Sequence, residues 1–109
     1  MLKFYVLSKT VAAGDQAEDY FAPEVPVHFK RIIVSERAGT SLENVFIDMD
    51  IQGSKITKQP VPASLFQKPW NELVPLEFDL GTGVKLNFTI KNNLTSDIDI
   101  DIIIVYEEG

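Results

Sequence analysis

The chain has 109 residues, no cysteine and one histidine, with 16 acids against 10 bases and a formal charge of −6. That length suits one domain over residues 1–109, because a second core would need roughly 50 residues more. Disulfides, thiolate nucleophiles, zinc ribbons and multi-histidine metal centres are excluded, and nucleic acid is disfavoured because its binding depends on Lys and Arg displacing counterions.

The N-terminus runs from Met1 straight into Leu2-Lys3-Phe4-Tyr5-Val6-Leu7, with none of the parts of a secretory leader. No apolar run approaches the ~20 residues of a membrane span. Synthesis in a cytoplasm, with no membrane span, is the expectation. Leu2 to Val11 is the first strand and carries apolar residues on both parities, as an element covered on two sides would. The next stretch, Ala12 to Pro26, reads as a connection.

Val27 to Glu36 is a second strand whose parity changes: Val27 and Phe29 share one face, Ile32 and Val34 the other. A bulge near Arg31 accounts for this, since one extra residue turns every later side chain over. His28 lies here without a local Ser–Asp or Cys partner, so it reads as structural. From Val45 to Ile51, Val45, Ile47, Met49 and Ile51 alternate with Phe46, Asp48 and Asp50. Gly53-Ser54 marks a turn, and Lys55 to Lys58 reads as a short edge strand.

Between Gln59 and Val74, three prolines (Pro60, Pro62 and Pro69) stiffen a segment that also holds Leu65, Phe66 and Trp70. These three side chains are either anchors for a partner protein or a plug for one open end of the fold. Trp is enriched at interface hot spots, and a stiff loop loses little entropy on binding.

Leu76 to Leu80 and Val84 to Lys91 alternate strictly around Gly81-Thr82-Gly83, as the two arms of a hairpin would. From Asp97 onward, Ile98, Ile100, Ile102 and Ile104 alternate with Asp97, Asp99 and Asp101. Pairing Lys91 with Asp97 sets Ile90 against Ile98, Phe88 against Ile100 and Leu86 against Ile102, which predicts a second hairpin. The aspartates repeat at roughly 6.5–7 Å along one face, too far apart for all three to hold one ion, and no EF-hand glycine and glutamate follow. They read as a solvated face, with a calcium site shared with another strand or subunit as the alternative.

Beyond Asp101 that face becomes apolar, because Ile103 and Val105 take the aspartate positions. Either a loop of this chain or another subunit must cover them. The first strand has the same two-sided character, so the two are expected to be neighbours.

About seven strands with no helical period indicate an all-β, antiparallel two-sheet sandwich, jelly-roll or immunoglobulin-like in connectivity. Gly-x-Ser-x-Gly is absent, Gly81-Thr82-Gly83 precedes no helix, and sixteen acids produce chance carboxylate pairs. No enzyme, catalytic residue, metal site or cofactor is expected. With its acidic, cysteine-free composition, its opening directly into a strand, and the closing pattern Leu86-Asn87-Phe88-Thr89-Ile90-Lys91-Asn92-Asn93 followed by Ile98 to Tyr106, the whole chain resembles the small single-sandwich structural proteins of virions. These are minor capsid, decoration or tail-associated subunits of phages and archaeal viruses. The resemblance carries no site residues. It implies a non-enzymatic subunit of a homo-oligomer or larger assembly, incorporated into a virion and held by strand edges and loops. The expected interface residues are Leu65, Phe66, Trp70, Ile103 and Val105. A carbohydrate- or ligand-binding sandwich, with a glycan as partner, is the alternative.

Overall fold

The computed structural model describes residues 2–57, 59–73 and 76–108, with Trp70 described in its main chain alone. The elements in chain order are β1 (Leu2–Val11), β2 (Gln16–Phe21), β3 (Val27–Glu36), β4 (Val45–Ile51), β5 (Ser54–Lys55) and β6 (Val61–Pro62), then 3-10 turns at Ala63–Phe66 and Trp70–Glu72, then β7 (Phe78–Leu80), β8 (Leu86–Asn92) and β9 (Ile98–Glu108). All pairings are antiparallel. One sheet has the order β1-β9-β3-β7, and the other β2-β8-β4-β5 with β6 also on β4.

This order decides the connectivity. An immunoglobulin-like sandwich keeps its first, second, fifth and fourth strands in one sheet. Here the chain crosses between sheets at β1–β2, β2–β3, β3–β4, β6–β7, β7–β8 and β8–β9, and β5 and β6 pair with successive parts of β4. The result is a jelly roll, an all-β sandwich closed by two interleaved Greek keys.

The core lies between the sheets and follows the alternation. Ile98, Ile100, Ile102 and Ile104 of β9 and Leu86, Phe88 and Ile90 of β8 are all essentially inaccessible to solvent. β8 and β9 therefore meet face to face across the core, and the predicted hairpin between them is not formed. β8 pairs with β2 and β4, and β9 with β1 and β3. Strands with one buried face match apolar to apolar equally well side by side or stacked, so the match that suggested a hairpin also describes an arch. The Gly81-Thr82-Gly83 turn behaves the same way, carrying the chain from β7 in one sheet to β8 in the other. The β4–β5 turn is a true hairpin, with Asp50 opposite Lys55 and Ile51 opposite Ser54. Its central residues Gln52 and Gly53 both have positive φ, 49° and 88°, as a type I′ turn requires.

Asn92 ties the β8–β9 arch to the end of β1. Its buried side-chain amide donates to the carbonyls of Val11, Ala12 and Ser96, and its oxygen accepts from Leu94 N. With every polar atom used, the amide replaces ladder hydrogen bonds that an arch cannot make.

The expected bulge in β3 is present, its register shifting between Phe29 and Arg31. Val27 and Phe29 before it and Ile32 and Val34 after it all face the core as a result. Phe29 is fully buried and stacks on Phe78 at 4.7 Å between ring centroids. β2, read from sequence as part of a connection, is a strand opposite Leu86–Lys91 of β8. Among the described residues no helix is long and apolar enough to cross a membrane.

Candidate assembly interface

β1 pairs with β9 along its whole length, from Leu2 opposite Glu107 to Val11 opposite Ile98. This bears out their expected adjacency. β1 stands at the end of its sheet, so the hydrogen-bonding groups on its far side are not used in that ladder. Alternation then sorts its side chains. Leu7 and Val11 enter the core, while Leu2, Phe4, Val6, Ser8 and Thr10 project from the outer face.

The outer face of this sheet divides into three zones, read across β1, β9 and β3. Nearest the Asn92 arch it is polar: Ser8 and Thr10 donate to Asp101 and Asp99 at 2.6 Å each, and Arg37 reaches Asp101 at 3.1 Å. Arg37 and then Ser8 hold the Asp101 carboxyl below the usual carboxylate range. Asp97 accepts from Ala13 N. Each aspartate of the ladder thus has its own partner. Among the described residues no group of three or more His, Asp or Glu side chains is placed to hold a metal ion.

The middle zone is apolar. Val6, Ile103 and Ile33 form one cross-strand row, and Phe4, Val105 and Arg31 the next. Val105 is fully buried within this chain and Ile103 half-buried. The segment before β7 continues along the β3 edge, where Leu76 N donates to Lys30 O, and its Glu77 lies 3.8 Å from Arg31, the residue opposite Val105. Intrachain cover therefore accounts for Val105 and part of Ile103. It stops at β1, whose outward residues Leu2, Phe4 and Val6 are 46%, 63% and 52% exposed. Of the two faces of β1 that were expected to be covered, the chain itself covers one.

The far zone is charged. His28 bonds Asp79 through Nδ1 at 2.8 Å and Glu77 through Nε2 at 3.1 Å, and Lys30 also reaches Glu77 at 3.2 Å. Asp79, then Glu77, raises the His28 pKa, which favours an imidazolium donating from both nitrogens. Sequence reasoning left His28 unpartnered because both carboxylates arrive from β7 and the segment before it, about fifty positions away. A shallow cavity of about 370 Å³ adjoins it, lined also by Pro26, Leu80 and Glu107.

The loop residues lie elsewhere. Leu65 and Phe66 sit in the 3-10 turn that follows β6, on the edge of the opposite sheet. Phe66 is 4% exposed and belongs to the core, as a plug would, whereas Leu65 is 39% exposed. Phe66 is therefore not available at the surface as a loop anchor. The Trp70 side chain lies outside the described residues. The four expected interface residues whose side chains are described do not form one patch: Ile103 and Val105 adjoin β1, and Leu65 and Phe66 do not.

A groove of about 540 Å³ crosses the outer face of the second sheet, lined by Glu18, Tyr20, Asp50, Asn87 and Thr89 among others. Lys85 Nζ stands 4.5 Å from the centre of the Tyr20 ring, and Asn87 donates to Asp50 at 2.9 Å. Tyr20, Asn87 and Asp50 of this groove thus already have partners within the chain. No protein-family model, curated protein or solved structure matches this chain.

Proposed function

We propose that this chain is a non-enzymatic structural subunit of a protein assembly and, within that class, a virion component of the capsid, decoration or tail. The observation that carries the reading is the exposed apolar stripe Leu2, Phe4 and Val6 on an edge strand, continuous with Ile103. Soluble proteins blunt such edges with charges, prolines or short strands; β1 is ten residues long with no proline and only Lys3 and Lys9 as charges, both on the other face from the stripe, which leaves it a site for pairing. The jelly roll supports the finer reading, since viral capsid domains use it, although lectins and cupins do so too. The formal charge of −6 suits a subunit turned away from packaged nucleic acid.

Light scattering behind size-exclusion chromatography, over a range of concentrations and salt, tests the assembly reading. Species above the 12.2 kDa monomer, growing with concentration and persisting in high salt, are expected of an apolar contact. Electron microscopy of that material should show closed rings or particles. A monomer at every concentration that binds a glycan array would overturn the proposal in favour of the carbohydrate-binding alternative.

A further inference from the structure

Resting on that assembly reading, we infer that β1 pairs antiparallel with β1 of a second copy about a two-fold axis at Phe4, fusing two four-stranded sheets into one continuous sheet. An interface between identical chains on a two-fold axis must be complementary to itself. Leu2 to Val6 meets that condition: with Phe4 opposite Phe4 of the second copy, Leu2 faces Val6 and Lys3 faces Tyr5. The outer face then gathers six apolar side chains along the axis, flanked by Ile103 of each copy. On the other face each Lys3 ammonium lies beside a Tyr5 ring, which is 46% exposed and attracts a cation.

Neighbouring registers fit worse. An axis at Lys3 sets two ammonium groups opposite each other, and an axis at Tyr5 sets Leu2 against Ser8 and Lys3 against Leu7. Charge also favours β1 as the self-contact. No acid lies between Leu2 and Val11, so two copies that each carry −6 meet where neither presents a carboxylate on the pairing strand. The other edges suit the role less: β7 has three residues, β5 and β6 two each, and β2 carries Glu18 and Asp19.

The exposed apolar area is on the order of 400 Å² per copy, about 800 Å² for the pair, below the ~1,000 Å² that a stable interface clears. One pairing alone is therefore weak, and repetition in a larger assembly strengthens it.

The absence of cysteine makes the register directly readable. Phe4→Cys should link to itself under mild oxidation, or with a short bis-maleimide, giving a dimer band. Val6→Cys alone should not, and mixed with Leu2→Cys it should. Phe4→Lys should weaken dimerisation by about 30-fold or more, the effect of losing a hot spot, with an unchanged circular dichroism spectrum because the side chain is exposed. If the wild-type chain assembles while Phe4→Cys fails to link to itself and Phe4→Lys assembles normally, the inference falls and the assembly reading stands. Linking of Phe4→Cys to a cysteine placed at Tyr20 instead would replace the two-fold pairing with a head-to-tail one. A wild-type chain that stays monomeric at its highest soluble concentration removes both.

Discussion

The Oε2 atom of Glu36, at the end of β3, accepts the main-chain N–H of Asp99 on β9 at 3.0 Å. Its other oxygen accepts from Ala38 N at 2.9 Å and Thr40 N at 3.0 Å. One carboxylate, 7% exposed, thereby folds the Arg37–Thr40 loop back onto the sheet. The Thr40 bond, with those of Asp99 and Ala38, keeps the Glu36 carboxyl below the usual range despite burial. Replacement by alanine strips the acceptor from three main-chain donors and should cost about 2–3 kcal/mol. Glu36→Gln, which keeps an acceptor but not the charge, should cost about half of that. Urea unfolding with an unchanged m-value checks both; a loss under ~0.5 kcal/mol for alanine would mean that the loop holds without Glu36.

Stability should fall at both ends of the pH range, for opposite reasons. Glu36, Asp48, Asp50, Glu77 and Asp101 all have lowered carboxyl pKa values, chiefly through hydrogen bonds from Thr40, Lys55, Asn87, His28 and Arg37 in turn. Their contribution is complete above the ordinary carboxylate range of about pH 4 and is lost as pH drops through the lowered folded values. His28 is raised, so its contribution is complete below the ordinary imidazole value of about 6.5 and is lost as pH rises through the folded value. Urea midpoints measured from pH 3 to 9 should show both limbs. His28→Asn should flatten the alkaline limb and also remove part of the acid limb, the share that Glu77 owes to its bond from His28.

The bulge in β3 sets which side chains enter the core, so deleting Lys30 should be worse than losing any single one of them. Without the extra residue, Val27 and Phe29 turn outward while Ile32 and Val34 remain in place. Phe29→Ala should cost roughly 3–5 kcal/mol, the usual range for a buried aromatic. The deletion should exceed that, leaving no cooperative melting transition. A deletion variant as stable as Phe29→Ala would show that β3 regains its register elsewhere.

Leu65 and Phe66 are adjacent in sequence and should respond differently. Phe66→Ala removes a core side chain and should cost roughly 3–5 kcal/mol; Leu65→Ala should fall within about 0.5 kcal/mol. Thermal melts of the two variants separate these outcomes, and equal losses would place Leu65 in the core as well.

Several features were legible from the residue order alone. Alternation located β3, β4 and β9 closely and gave their buried faces, because a strand with one dry side must repeat with period two; β1 was located by an apolar run on both parities, which left its dry face undecided. The change of parity between Phe29 and Ile32 disclosed the bulge for the same reason. β2 escaped because Gln16-Ala17-Glu18-Asp19-Tyr20 carries little apolar signal: beside β1 at the sandwich edge, only Phe21 of this strand is fully buried.

The amino-acid sequence by itself determined that the chain forms two greasy-faced sheets and that Ile103 and Val105 require cover. Only the tertiary structure decided that Gly81-Thr82-Gly83 and the Asn92 turn are arches, that Phe66 is core, and that cover reaches Val105 but stops before Phe4. Period-two patterning reports which way a side chain faces and is blind to which strand lies beside it. Pairing, partners such as those of His28, and uncovered edges depend on contacts between segments distant in the chain, and no local pattern encodes them.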